Sequence, residues 1–210
     1  GKVSLCGRDV TGLSTRQMLD AGLNYVVEDR FLNGIFRLSD VAANTTAANL
    51  HRMSRFFVNF KKERIITDKF VKAFRTKVTG RDQAIGALSG GNQQKVVIGK
   101  SLLTQPKLLL LDEPTRGIDI GAKAEVFKTM RQLAEEGLGV VFATSDLKEI
   151  MSAADRILVM SRGLVTGDFP RSEATECKLV AASTMTEADL VTNHETARSS
   201  EEPLTPITEH

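Results

Sequence analysis

The sequence has little cysteine and no long apolar run. Among its 210 residues the only cysteines are Cys6 and Cys177, far apart and without metal-ligand spacing, so we expect buried or idle thiols. No stretch approaches the roughly 20 apolar residues that span a bilayer, and no signal peptide is visible at the start. We therefore expect a cytoplasmic chain whose link to a membrane, if it has one, runs through a partner.

The sequence also lacks a strong excess of one charge. Its 28 basic and 26 acidic residues leave a formal net charge of +2, which offers no concentrated basic face for nucleic acid. The histidines, His51, His194 and His210, do not cluster in a ligand motif. A hydrophobic content of 41% is ordinary for a globular protein, and the length predicts one domain, or one with a small subdomain.

Helical and strand patterns alternate in the second half of the chain. Alternation of this kind predicts a parallel sheet with helices on both faces. The predicted strands are residues 23–27, 107–111, 139–143 and 156–160, and the predicted helices are 14–21, 91–104, 122–135, 147–152 and 172–182.

Residues 35–85 have a different texture, in which basic residues mix with spaced apolar ones. Apolar residues recur at helical spacing between residues 61 and 77, which predicts a helical segment. The basic stretch of residues 52–64 has two open interpretations: contact with acidic lipid headgroups or a permease, or a solvated helix face. From residue 192 the chain is polar and rich in Glu, Ser and Thr, which predicts a disordered tail.

Two motifs follow one another near the middle of the chain. Residues 88–94, Leu-Ser-Gly-Gly-Asn-Gln-Gln, open a predicted helix, where free N–H groups and the helix dipole favour a phosphate. Gly90 and Gly91 allow that phosphate to approach closely. Residues 108–114 form an apolar strand that ends in Asp112 and Glu113, one acid for the hydration shell of Mg²⁺ and one to polarise water.

These motifs resemble those of the nucleotide-binding subunit of ABC transporters. Residues 88–94 resemble the signature motif, residues 108–113 the Walker B strand and residues 114–119 the D-loop. The finer pattern resembles the carboxy-terminal ATPase half of tandem bacterial sugar importers of the ribose/galactose/xylose type. The resemblance runs from about residue 1 to residue 184.

The resemblance implies an α/β fold, a P-loop NTPase-like parallel sheet flanked by helices. An incomplete ABC ATPase core would comprise residues 1–34 and 86–184, with a helical subdomain at 35–85 and a disordered tail at 185–210. No Gly-x-x-x-x-Gly-Lys-[Ser/Thr] motif occurs in the sequence. Because residues 1–7 resemble the strand and turn after the P-loop helix, we expect a piece that begins downstream of its Walker A and binds ATP poorly alone.

The Walker B resemblance assigns roles to the two acids. Glu113 would be the catalytic residue that orients or deprotonates the attacking water, and Asp112 would hold Mg²⁺ through water. The alternative is an acid pair that merely caps the next turn. Asp119 in the D-loop would contact the partner across a dimer interface, with helix capping as its alternative.

The signature resemblance places Ser89, Gly90, Gly91 and Gln93 against the γ-phosphate of an ATP held by a partner half. An ordinary helix entry with Ser89 as N-cap is the alternative, and both can hold together.

Two positions depart from the family at large. Ser145 stands where most relatives have a histidine that reaches the γ-phosphate, and a hydroxyl cannot carry the charge or proton of an imidazole. Glu28 stands in place of the Q-loop glutamine, so that position offers charge and no donor. Both substitutions resemble those in carboxy-terminal halves of sugar importers, and both residues would lie at the nucleotide.

The resemblance implies a subunit that uses ATP and Mg²⁺ to energise import of a sugar or related small molecule. Its partners would be a second ATPase half (in the same polypeptide or a dimer mate), an integral membrane permease and, indirectly, a periplasmic sugar-binding protein. It would lie peripherally on the cytoplasmic face of the inner membrane. The alternative is a catalytically incompetent module that lends its signature motif to a partner. A soluble ABC ATPase of translation or DNA repair would show a coiled-coil insertion or basic linkers, and neither is present.

Overall fold

A computed structural model describes residues 1–50 and 58–186, and these divide into two compact units. The first is Gly1–Ser145 and the second begins at Asp146. The domain boundaries predicted near residues 35 and 85 both fall inside the first unit and stay a prediction. Residues 187–210, which make up nearly all of the predicted tail, lie outside the described residues.

The first unit opens with a two-stranded hairpin. Strands β1 (Ser4–Leu5) and β2 (Arg8–Asp9) pair antiparallel. Cys6 and Gly7 both have positive φ, 49° and 78°, as a two-residue hairpin turn of type I′ requires. Of the two expectations for the cysteines, a buried thiol is wrong for both, since Cys6 lies on this exposed turn and Cys177 is also exposed. An idle thiol stays a prediction.

Helix α1 (Thr15–Ala21) leads into the central sheet. Ser14 and Gln17 bond reciprocally in a capping box that fixes where the helix begins. Gly22, with φ of 100°, adopts the left-handed conformation that ends it. The chain then enters strand β3 (Leu23–Val26).

The segment between β3 and the signature helix is mainly helical among the described residues. A π-type turn, Arg30–Gly34, is followed by α2 (Val41–Thr46), which Asp40 caps, and by a short 3-10 turn. Helix α3 (Phe60–Ala73) begins after its cap residue Asn59. The predicted helical segment is thus confirmed where the structure describes it.

A parallel sheet forms the centre of the first unit. Strands β4 (Leu108–Asp112) and β5 (Gly139–Ala143) add to β3 in the order β3–β4–β5. Register places Leu23 beside Leu108, and Leu108 beside Gly139. All three strands therefore end at one edge, and the residues after each strand meet there.

Helices pack on one face of this sheet. Helices α4 (Gly90–Leu102) and α5 (Ile120–Glu135) share one hydrophobic core with the sheet. Core residues from the strands and the two helices are Val26, Leu109, Leu111, Val97, Ile98, Val126 and Met130. On the opposite face Tyr25 and Val141 stay 50% and 56% exposed. The predicted parallel sheet with flanking helices is confirmed for these three strands, with the tighter packing on one side. The fourth predicted strand, 156–160, is not part of this sheet: it pairs antiparallel with residues 164–170, because the turn at Arg162 and Gly163, both with positive φ, returns the chain beside it.

The second unit is a hairpin between two helices. After α6 (Leu147–Ala153), strands β6 (Arg156–Ser161) and β7 (Leu164–Pro170) pair antiparallel and α7 (Glu176–Thr184) follows. Ile157, Ala174 and Leu179 form its core. In the described part of the chain no helix is long and apolar enough to cross a membrane.

Candidate functional site

Strand β4 ends in a tight turn that carries Glu113. Its φ is 41°, a left-handed value that costs a non-glycine residue about 1–2 kcal/mol. The turn is held by a hydrogen bond from Glu113 N to Ala143 O, 2.8 Å long. One carboxylate oxygen accepts from Ser145 N at 2.9 Å and the other from Thr144 Oγ1 at 3.3 Å. The loop after β5 therefore fixes the carboxylate of Glu113.

Asp112 points toward the neighbouring strand on the other side. Its Oδ2 accepts a hydrogen bond of 2.8 Å from the hydroxyl of Tyr25 on β3. That bond to a carboxylate, helped by burial, raises the pKa of Tyr25. The two acids are thus held separately from both sides of β4. The alternative that they merely cap the next turn does not match these side-chain contacts.

Asp112 and Glu113 offer only carboxylate oxygens as metal ligands. Among the described residues no group of three or more His, Cys, Asp or Glu side chains could hold a metal ion. Such a site does not fit a metal held entirely by protein ligands. It does fit Mg²⁺, which keeps several waters and is bound through one or two carboxylates together with substrate phosphates.

The N-terminus of α4 carries the residues of the predicted signature motif. Ser89 has the extended backbone of an N-cap residue, but its side chain makes no capping hydrogen bond. Its hydroxyl instead accepts from Asn92 Nδ2 at 2.9 Å. Ser89 therefore occupies the N-cap position of α4, as the alternative predicted, but its side chain does not cap the helix. The first-turn N–H groups of α4 therefore do not donate to that hydroxyl.

Gly90 and Gly91 are required by packing within the fold. A Cβ on Gly90 would lie 2.9 Å from Arg30 Nη2 and 3.1 Å from Gly117 O. A Cβ on Gly91 would lie 2.4 Å from the Cβ of Ala122 on α5. The two glycines thus let α4 approach the D-loop and α5 closely. Close approach of a phosphate stays a prediction for both.

Gln93 lies inside the first unit, with only 3% of its surface exposed. Its Nε2 donates to the carbonyls of Ile85 and Leu88, at 3.3 and 3.1 Å. Its Oε1 accepts from Arg30 Nε at 3.3 Å. These contacts are those of a structural residue, whereas the predicted contact of Gln93 with nucleotide stays a prediction.

Arg30 is a site residue that sequence reasoning missed. It is 7% exposed, and its Nη1 and Nη2 donate to the carbonyls of Arg116 and Gly117 at 2.7 and 3.3 Å. Burial lowers the pKa of its guanidinium, which stays charged because an arginine titrates far above neutrality. Arg30 therefore joins the segment after β3 to the signature helix and the D-loop. Its place directly after Glu28 and Asp29 was the available sequence signal.

Glu28 and Asp119 make local contacts. The carboxylate of Glu28 pairs with the guanidinium of Arg116 in the D-loop. Asp119 Oδ1 accepts from Ala122 N at 2.9 Å, so Asp119 caps α5. The capping alternative is confirmed, and a contact of Asp119 across a dimer stays a prediction. The structure thus gathers the Q-loop position, the signature and the D-loop around Arg30, with the acid pair and Ser145 at the ends of β4 and β5.

Curated relatives match most of this chain. It is 42% identical over 182 residues to the ribose import ATP-binding protein RbsA of Caldanaerobacter subterraneus subsp. tengcongensis. It is 41% identical over 184 residues to the xylose import ATP-binding protein XylG of Moorella thermoacetica. These matches cover 86% and 88% of this chain but only 37% and 36% of the relatives. The chain therefore spans little more than a third of their length.

Solved structures agree with the fold, and a family model identifies the family. An ATP-binding cassette of an ABC transporter superposes with a TM-score of 0.74 at 19% identity, covering 87% of this chain and 76% of that one. A dimeric cassette in a post-hydrolysis state, bound to ADP and Pi, gives a TM-score of 0.66 at 21% identity, covering 81% and 73%. The family model for the ABC transporter matches residues 1–116. The chain thus belongs to the ABC transporter family.

Proposed function

We propose that this chain is part of an ATP-hydrolysing subunit that energises import of a sugar or related small molecule through a membrane permease. The observation that carries the proposal is the carboxylate of Glu113, held by Ser145 N and Thr144 Oγ1 beside Asp112. The printed names of the relatives, for ribose, xylose and L-arabinose, favour a sugar as the imported molecule.

Glu113 is the group that would act on water. Each oxygen of its carboxylate accepts one hydrogen bond, so the remaining lone pairs can orient an attacking water and accept its proton. Asp112 would hold Mg²⁺ through water, and the ion when bound would neutralise charge on the transferring phosphoryl group. Ser145 contributes a backbone N–H to this arrangement, which a serine supplies as well as a histidine does.

The opposite part of the site would be the start of α4. Its N–H groups and helix dipole would meet the γ-phosphate of an ATP held by a second ATPase half. Gly90 and Gly91 keep that helix end against the D-loop, and Asp119 lies at the end of the same loop. The two halves would close on ATP and reopen after hydrolysis, which would move the permease.

The assembly follows from this function. We place the subunit peripherally on the cytoplasmic face of the inner membrane, bound to an integral permease and served indirectly by a periplasmic sugar-binding protein. A second ATPase half, in the same polypeptide or as a dimer mate, completes the site. Residues 35–85 and the loop that contains Glu28 would receive the permease.

A second candidate is a module that lends its signature face and does not hydrolyse ATP. One observation favours it: Ser145 stands at the position where most relatives have a histidine. In this case the start of α4 would matter for activity and Glu113 would not.

Glu113→Gln in the full product of the gene separates the two candidates. We expect ATP turnover to fall about 10²- to 10⁴-fold, because the amide keeps the shape but cannot take a proton. Glu136→Gln, an exposed acid after α5, is the matched control and should leave turnover unchanged. If Glu113→Gln leaves turnover intact while Ser89→Arg abolishes it, the chain lends its signature face and the hydrolytic role is wrong.

A further inference from the structure

Helix α3 has an exposed face on which lysines surround an isoleucine. We define the lysine face as Lys61, Lys62, Ile65, Lys69 and Lys72. Ile65 is 49% exposed, and the four lysines, all exposed, lie three, four or seven positions from it along the helix. Residues at these spacings share one side of a helix. The opposite side of α3 packs into the core of the first unit.

The lysine face is not neutralised by the acidic residues around it. Asp68 pairs with Arg81, and Asp82 lies 3.8 Å from Arg64. Glu63 is buried on the core side of the helix. Within the described ranges, none of the four lysines forms an ion pair with a carboxylate. Their charge therefore faces solvent uncompensated.

Positive charge is concentrated in this part of the chain. Residues 60–77 contain seven basic and two acidic residues, a net charge of +5, whereas the whole chain has +2. The other residues are therefore net negative by three. A surface with this concentration of positive charge attracts an anionic partner over about one Debye length, near 10 Å at 0.1 M salt.

We propose that the lysine face binds the anionic headgroups of a phospholipid membrane. Lysine stems extend ammonium groups to headgroup phosphates, while an aliphatic side chain between them enters the boundary with the acyl chains. Ile65 has this position, and the 68% exposed Phe60 at the start of α3 adds apolar surface. The lysine face is one surface of the segment that would also receive the permease. Binding to vesicles is measured without nucleotide or permease, so this proposal stands or fails separately from the proposed function.

Vesicle co-sedimentation of the 210-residue chain tests the proposal. We expect binding to phosphatidylcholine vesicles that contain phosphatidylglycerol, and little binding to pure phosphatidylcholine. Each lysine near an anionic surface contributes about fivefold to partitioning, so Lys62→Gln with Lys69→Gln should weaken it about 25-fold. Glutamine has nearly the same helix propensity as lysine, so α3 should stay intact, which circular dichroism checks.

A matched control distinguishes this surface from overall charge. Lys128→Gln with Lys148→Gln removes two exposed lysines from α5 and α6 and changes the net charge equally. This control variant should still bind the anionic vesicles. Binding of the unchanged chain and of the control should both fall as salt is raised. Ile65→Gln should weaken binding without changing its slope against salt. Absence of binding to anionic vesicles by the folded chain, or equal loss in both double variants, would overturn the proposal.

Discussion

Arg30 shows how one side chain can hold three segments that are distant in sequence. Its guanidinium bonds Gln93 on α4 and two carbonyls of the D-loop, and it is nearly buried. A lysine at this position is a single point charge and cannot satisfy three acceptors with the planar fork of an arginine. Buried acceptors that lose their donor each cost about 1–3 kcal/mol.

We expect Arg30→Lys to lower the free energy of unfolding by about 2–3 kcal/mol, which urea denaturation measures. Hydrogen exchange at the D-loop amide of Ile118, bonded to Thr115 O, should speed up as well. The same replacement at the exposed Arg8 on β2 is the control and should change stability little. If Arg30→Lys lowers the free energy of unfolding no more than Arg8→Lys does, then Arg30 does not hold the three segments together.

The site residues differ in how far sequence could predict their surroundings. Asp112 and Glu113 were recognisable because a strand end and an acid pair are local features. The hydrogen bonds of Gln93 could not be predicted from sequence. Its partners are Arg30, 63 positions away, and a carbonyl of the turn before α4. The packing reason for Gly91 depends on Ala122, which lies on another helix.

At the scale of secondary-structure elements, helices α3 and α4 pack closely against each other at a glycine of α4. A Cβ on Gly99 would lie 1.9 Å from the ring of Phe70, and that ring stacks on Phe74 with centroids 4.4 Å apart. The close approach therefore depends on the missing side chain, and the stacked rings have little room to move. A larger residue must push the two helices apart.

Gly99→Ala should destabilise the protein by about 1–3 kcal/mol, although alanine favours a helix by about 1 kcal/mol over glycine. Urea unfolding measures the change. Phe70→Leu combined with Gly99→Ala should recover part of the loss, because the smaller side chain vacates the contact. Gly80→Ala, with no heavy atom within 4 Å of the added Cβ, is the control. A stabilised Gly99→Ala protein would mean that the helices separate without cost.

Element boundaries follow from sequence where the caps are local. Helices α5 and α6 and strands β4 to β6 lie within two residues of their predicted positions, since alternation and acidic caps mark them. Helix α7 begins at Glu176 instead of the predicted residue 172. Bonds from Glu173 N and Ala174 N to Pro170 O form a turn first, and the cap is Thr175.

At the scale of the whole first unit, the residues of the site come together at one edge of the sheet, but one face of that sheet is only partly covered. Parallel sheets are normally covered on both faces, yet Tyr25 and Val141 on one face stay half exposed. Tyr25 is also the residue that bonds Asp112, so the exposed face and the acid pair adjoin. Sequence patterns predicted the parallel sheet together with helices on both of its faces. The half-exposed face differs from that prediction, because coverage of each face is a property of the packed molecule that periodicity does not define.

Phosphate binding is the property that we expect the 210-residue chain to lack. A P-loop supplies backbone donors and a lysine to the phosphates, and no such motif occurs in this sequence. In the proposed function the acid pair would activate water and the start of α4 would contact a nucleotide on a second subunit, and both roles need a phosphate that is already held. We therefore expect negligible ATP turnover by this chain alone, measured as phosphate release with Mg²⁺.

Glu113→Gln in the same chain controls for contaminating ATPases, because a contaminant does not respond to this substitution. A trace of activity that persists in Glu113→Gln would come from elsewhere and agree with the prediction. Turnover at the rate of the full gene product that disappears in Glu113→Gln would contradict it. Such a result would mean that the edge of this sheet, with Glu113 held by the loop after β5, binds phosphate through groups other than a P-loop.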